Sequence, residues 1–254
     1  GSSWGAVGNI QTCTAQGFFN QLILGSPLYN LMLAIYYLLL GRYHMTEEEI
    51  AKRYELYMHA VAIVPSVGTA IAGIPLTLYN SANLWCWIAA YPTGSEGFNG
   101  QDSDIECERG HGAWLYRWVF FYAPLWFIIA AITVIMIMLT VSVRREEKRF
   151  IEMMQRRDPS KGANQTDQSI EDSTERDLSP FSDVFNLERS RKMFYQAVFY
   201  LGAFYMCWWA PTLNRMIQMI NGESSFFFML ATAIFLPLQG FFNFLVYRHG
   251  PCVA

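Results

Sequence analysis

The chain has 254 residues, 53% apolar and 16% aromatic, and carries a net charge of −3 with a pI near 5.8. That balance leaves no basic footprint for nucleic acid. A mean hydropathy of +0.17 would also suit a soluble core, but a soluble chain of this length interleaves its charges with its apolar residues, and here the two are segregated.

The apolar residues fall into five blocks: 17–40, 57–80, 118–143, 193–220 and 226–247. As helices rising 1.5 Å per residue, blocks of about 22–28 residues would run about 33–42 Å, enough to cross a hydrocarbon core of about 30 Å. Within them the one Asp, Glu, Lys or Arg is Arg215. The expected fold is therefore all-α, a polytopic bundle in a lipid bilayer with five spans present. Loops are expected at 1–16, 41–56, 81–117, 144–192 and 221–225, with a tail at 248–254. Fifteen of the 18 Lys and Arg residues lie in 41–56, 144–192 and the tail. The positive-inside rule then puts those segments in the cytosol and the amino end outside, as in a multi-pass protein of the plasma membrane.

Cys13 precedes the first block, which carries Asn20, Gln21 and Asn30. Gln21 and Asn30 do not share a stripe, so two faces should have polar neighbours. The second block holds His59 and the run Gly68-Thr69-Ala70-Ile71-Ala72-Gly73, small residues that would let a helix approach closely. The acidic, glycine-rich loop that follows contains Cys86 and Cys107. Both are on the outer side with Cys13, where disulfides persist; Cys86 is the preferred partner of Cys13 and Cys107 the alternative. The loop is either a solvated surface segment or a lid over a pocket.

The third block should continue as a helix through 144–157, where Glu146 and Arg149, and Glu152 and Arg156, are helix neighbours. Residues 158–183 are polar enough to be disordered. They include hydroxyls such as Ser160, Thr166 and Ser182 that a kinase would modify, and the sequon Asn164-Gln165-Thr166, which a cytosolic placement leaves without sugar. Residues 184–192 rebuild a basic helix. This basic connector suits a partner-docking face, or simply obeys topology.

The fourth block carries Cys207-Trp208-Trp209-Ala210-Pro211, then Asn214 and Arg215. Pro211 should kink the helix, with Trp208 and Trp209 as levers or as static filling. Asn214 and Arg215 would face a pocket, or Arg215 would snorkel to the head groups. The fifth block carries Pro237, Gln239, Gly240, Asn243 and Tyr247. Gln239 and Asn243 share a face, and Gly240 would allow close approach. Cys252 in the tail is a palmitoylation candidate or a plain thiol.

Trp85-Cys86-Trp87-Ile88, set against Cys13, resembles the second outer loop of G-protein-coupled receptors of the secretin/adhesion and cyclic-AMP-receptor types. Leu238-Gln239-Gly240-Phe241-Phe242-Asn243 resembles the Gln-Gly motif of their seventh helix. Trp209-Ala210-Pro211 is also similar to the Trp-x-Pro kink of rhodopsin-type receptors. Asn243-Phe244-Leu245-Val246-Tyr247 is similar to their seventh-helix motif with Phe244 in place of proline. Gly41-Arg42-Tyr43 echoes their Asp-Arg-Tyr without the acid. The resemblance covers nearly the whole chain, as the third to seventh helices of a seven-helix bundle, and implies two further helices before Gly1.

What the resemblance implies is a receptor for an extracellular ligand of unread identity, with Trp87, Asn214 and Arg215 near the ligand. Trp209, Pro211, Gln239, Gly240, Asn243 and Tyr247 would form the conformational switch. Arg42, Tyr43, Arg144, Arg145, Arg191 and Lys192 would face a heterotrimeric G protein. No metal cluster, phosphate loop or nucleophile triad is visible, so no cofactor, metal or catalytic residue is expected and the chain is not read as an enzyme. The last block has no Lys for a retinal Schiff base. A polytopic transporter is the main alternative, although the blocks lack the mid-membrane carboxylates such proteins use.

Overall fold

The computed structural model describes residues 8–82, 85–92, 94–96, 105–156, 173–221 and 225–249. The protein is mostly helical. In chain order, α1 (Ile10–Gln21) runs through a 3-10 turn (Leu22–Leu24) into α2 (Gly25–Tyr43). Next come α3 (Glu47–Ala72), strands β1 (Tyr79–Ala82) and β2 (Trp85–Ile88), and α4 (Ala113–Arg117). A π-helical turn (Trp118–Tyr122) joins α4 to α5 (Ala123–Arg156), followed by α6 (Ser173–Asn221), α7 (Phe226–Phe235) and α8 (Leu238–His249).

Three helical segments are long and apolar enough to cross a membrane: Ile10–Tyr43, Glu47–Ala72 and Ala113–Glu152. The pair Phe226–Phe235 and Leu238–Leu245 meets the same criterion only when taken as one span bent by 46°. Among the described residues, the fourth apolar block, inside α6, is not one of these segments. Much of its bulk is Tyr195, Tyr200, Tyr205, Trp208 and Trp209, whose polar tips lower the hydropathy that aliphatic residues would give. The apolar side chains that point outward fit a lipid solvent: Val64 is 66% exposed and Phe127 71%.

Several boundaries differ from the sequence reading. The first helix begins at Ile10, inside the expected loop 1–16. Asn9 accepts from the Thr12 amide and Thr12 Oγ1 accepts from the Asn9 amide, both at 2.9 Å, a reciprocal cap that satisfies two orphan donors. The expected loop 41–56 shrinks to residues 44–46, because Thr46 and Glu49 cap α3 in the same way with Glu47, Glu48 and Glu49 in its first turn. At its other end α3 stops at Ala72, eight residues short of the apolar block's end. Tyr79 and Asn80 belong to β1 instead.

Residues 173–183, expected to be unstructured, form the first turns of α6. Extending a helix already nucleated by an apolar segment costs far less than starting one. The remainder of the polar connector, with the sequon at Asn164, lies outside the described residues, as does Cys252. Of the prolines in the fourth and fifth blocks, one interrupts its helix. Helix α6 runs unbroken through Pro211, and the break falls at 236–237, where Pro237 has no amide hydrogen to donate and crowds the carbonyl of Ala233.

The chain divides into two compact units. The first comprises Gly1–Leu33, Ala51–Thr133 and Ile217–Glu223. Its core is Leu78, Tyr79, Ile88 and Ala113, with Phe18, Trp87, Tyr116 and Phe120 against them. The hairpin pairs β1 and β2 antiparallel, Tyr79 opposite Ile88 and Ser81 opposite Cys86. Tyr79 lies against Gly17 and Gly73, where a Cβ would strike its ring, and its hydroxyl donates to the Ala70 carbonyl at 2.8 Å. The small residues of α3 therefore receive a tyrosine from the hairpin, while Gly68 has open space at its Cβ position.

The second unit comprises Ala34–Ile50, Val134–Met216 and Ser224–Ala254. In it Ala197, Leu201, Phe204 and Trp208 of α6 form a buried stripe at helical spacing. Gly41 of α2 lies close against Leu139 of α5.

Replacing Tyr79 with Phe leaves the ring in place but removes the buried hydrogen bond, and should cost about 1–3 kcal/mol in unfolding experiments in detergent. Burial pushes the Tyr79 phenol from 10.0 up to about 12. A raised phenol favours the folded, neutral form, so this contribution is complete below pH 10 and is lost as pH rises towards 12. Tyr79→Phe should abolish that alkaline component.

Candidate functional site

Two clusters of chemically active side chains stand out, one in each unit. The first is a clamp between α1 and the hairpin. Cys13 forms a disulfide with Cys86, and Cys107 is a free thiol, so the preferred pairing is the one present. The Cys86 amide donates to Gln16 Oε1 at 3.2 Å, and its carbonyl accepts from Asn20 Nδ2 at 2.9 Å. Gln21, fully buried, accepts from Trp87 Nε1 at 3.0 Å and donates to Thr69 Oγ1 and the Phe120 carbonyl, both at 3.2 Å.

Cys13, Gln16, Gly17, Asn20 and Gln21 are spaced i, i+3, i+4, i+7 and i+8, one face of α1. That stripe was legible, but the sequence reading sought polar neighbours by comparing Gln21 with Asn30. Asn30 bonds within its own helix instead, to the Ser26 carbonyl at 2.9 Å.

The rest of the hairpin is held from α4. Arg117 Nε donates to the Ile88 carbonyl at 3.0 Å. The Glu96 carboxylate accepts the Ala113 and Trp114 amides at 3.1 and 3.2 Å, a negative group on a helix's positive end. Gly110 turns with φ +74°, and a side chain there would meet the Ala89 carbonyl and Asn80. Trp87, a candidate ligand contact, is thus engaged on both sides. Its N–H is taken by Gln21, and its ring lies edge-to-face with Phe121 and Tyr122 at 4.9 and 5.9 Å.

The second cluster is the arginine-rich end of α2, α5 and α6. Arg42 Nη1 donates to Ser142 Oγ at 2.8 Å, and that hydroxyl donates onward to the Met138 carbonyl at 3.0 Å. His44 Nε2 lies 3.2 Å from Glu146 Oε1, and Arg191 Nε lies 3.4 Å from Glu147 Oε1. These contacts tie α2 to α5 and α5 to α6. Tyr43, Arg144, Arg145 and Lys192 are exposed. A cleft of about 150 Å³ opens between α5 and α6, lined by Val143, Arg144, Glu147, Arg191, Phe194 and Tyr195 among others.

The expected switch and ligand residues are partly brought together. Trp208 Nε1 donates to Gln239 Oε1 at 3.2 Å, joining α6 to α8, and Gln239 is only 5% exposed. Trp209 stands edge-to-face with Phe228 and Phe235 of α7 at 6.1 and 6.0 Å. Pro211 is half-buried in a turn where Thr212 Oγ1 donates to the Trp208 carbonyl at 2.7 Å. Gly240 is exposed, with nothing within 4 Å of a Cβ position, so it mediates no close approach among the described residues.

Asn243 is half-buried, one turn from Gln239. Tyr247 is on α8, and its side chain lies outside the described residues. Asn214 Oδ1 accepts the Ser225 amide at 3.2 Å, tying the end of α6 to the start of α7. Arg215 is 4% exposed, so it does not snorkel away from the protein.

No protein-family model, curated protein or solved structure matches this chain.

Removing the disulfide by Cys13→Ala should destabilise the protein by about 2–4 kcal/mol, read as a lower unfolding midpoint in detergent under non-reducing conditions. Gln21→Leu strands the Trp87 N–H and should cost about 1–3 kcal/mol with the disulfide intact. A red-shifted tryptophan emission would report the loosened hairpin in both variants.

Proposed function

We propose that this chain contributes five spans, amino end outside, to a plasma-membrane signalling receptor that passes an extracellular ligand signal to a heterotrimeric G protein. The observation that carries the reading is how functional groups are distributed along the segment Ile10–Tyr43. Its first turns are cross-linked to a Trp-Cys-Trp hairpin, and its last turn delivers Arg42 and Tyr43 to the exposed basic ends of α5 and α6. A covalently pinned loop suits the oxidising side of a membrane, and the basic end suits the cytosol. The Cys-Trp and Gln-Gly resemblances point the same way.

In this reading the ligand binds one arrangement of the helices more tightly and shifts the population towards it. The moving element is the bent pair α7–α8, latched to α6 through Trp208 and Gln239 and braced by Trp209. Rearrangement there would spread the ends of α5 and α6, where Arg144, Arg145, Arg191 and Lys192 meet the G protein. The break at 236–237 also favours a second reading, a polytopic transporter, because interrupted helices beside buried polar side chains line substrate paths.

Vesicles containing the protein should accelerate nucleotide exchange on added heterotrimeric G protein, and Arg144→Glu with Arg145→Glu should return the rate to background. Solute uptake by the same vesicles without any effect on exchange would install the transporter reading instead. On intact cells, impermeant protease or labelling reagents should reach 94–110 and spare 158–183. The reverse pattern overturns the orientation and the receptor reading together.

A further inference from the structure

We infer that the cleft between α5 and α6 seats the phosphate-bearing head group of an anionic membrane lipid. The inference rests on the bilayer placement of α5 and is independent of G-protein coupling.

The position comes first. The apolar run of α5 ends at Val143, and Arg144 and Arg145 begin its charged extension. Val143 and Arg144 both line the cleft, so the cleft sits where a spanning helix leaves hydrocarbon and enters the head-group layer. Its walls change chemistry at the same level. Val143, Phe194 and Tyr195 offer apolar surface for the upper acyl chain and glycerol, while Arg144 and Arg191 offer two guanidinium groups. Guanidinium forks match phosphate oxygens better than an ammonium does. At about 150 Å³ the space takes a head group and leaves the chains outside, along the helices.

Charge defines the occupant further. Glu147 lies 3.4 Å from Arg191 and offsets it, whereas among the described residues Arg144 makes no ion pair. A head group with one negative charge needs only Arg144. One that also carries a phosphomonoester can displace Glu147 and engage Arg191 as well. Arg145, Lys148, Arg149 and Lys192, exposed and next in sequence to the lining residues, would concentrate such lipids by long-range attraction. The expected order of preference is a phosphoinositide first, then phosphatidylserine, then phosphatidylcholine.

The test uses the intact chain in vesicles of phosphatidylcholine doped with a fluorescent phosphoinositide, after carbonate extraction has confirmed insertion. Arg144→Gln and Arg191→Gln should each weaken lipid association about fivefold, while Lys52→Gln, at a residue that does not line the cleft, should leave it unchanged. Glu147→Gln should strengthen association, and Glu146→Gln, the same charge change at a residue paired with His44, should not.

Inorganic phosphate and soluble inositol phosphates are added as competitors. Little competition supports a lipid seat, and full competition at equal concentration replaces it with a free-anion site. Equal effects of the Glu146 and Glu147 variants reduce the cleft to non-specific surface charge and overturn the inference. An inserted protein with no preference among lipids overturns it while leaving the membrane reading intact. A chain extracted by carbonate overturns both.

Discussion

The grip of α1 on Cys86 organises the first unit. A single hairpin of two four-residue strands is not stable alone in water. Here Cys86 is bound covalently through its sulfur and by hydrogen bonds through both its amide and its carbonyl, all to one stripe of α1. Neighbouring Trp87 then reaches Gln21, and Gln21 reaches α3 and the π-helical turn before α5. One buried amide thus links four elements. The same fixation places Tyr79 over Gly17 of α1 and Gly73 just past the end of α3, contacts at which a Cβ would strike its ring.

A second constraint is the cost of an unpaired polar group in an apolar solvent. The hydroxyls of Thr133, Thr140, Ser142, Thr212 and Thr232 each donate to the carbonyl four residues earlier. These side chains are therefore compatible with lipid without any partner helix. Gln21 and Gln239 cannot close such a bond on every polar atom, and both are bound across elements to a tryptophan indole. The amide–indole pair is a recurring solution here because tryptophan brings one donor on a large apolar body. At Gln21 both ends of the amide are paired, whereas Gln239 Nε2 is buried without a hydrogen-bond partner among the described residues.

The arginine-rich end obeys different rules because its charged side chains are exposed or half-exposed. Its ion pairs are exposed or half-exposed, so each adds little stability, yet they determine which cations remain available. Glu146 is engaged by His44 and Glu147 by Arg191, while Arg144, Arg145, Lys148 and Arg149 of α5 are exposed. Arg42 is exposed beside them, with one nitrogen donating to Ser142.

The first three apolar blocks, with their lack of charge, were legible as helical segments long and apolar enough to cross a membrane, because a helix satisfies its backbone within each segment. The charged extension of α5 was equally legible from its helix-neighbour pairs. Helix starts at Ile10 and Glu47 were written in Asn9-x-x-Thr12 and Thr46-x-x-Glu49, but capping residues sit in polar stretches that hydropathy reads as loop. The hairpin was hidden because β1 is the tail of an apolar block that periodicity joins to α3.

Only the tertiary structure decided that Cys86 rather than Cys107 bonds Cys13, that Pro237 breaks its helix while Pro211 does not, and that Trp87 is spent on Gln21. Each of these depends on which groups meet across long sequence separations. A proline's cost, a cysteine's partner and an indole's donor are all settled by neighbours that local sequence does not specify.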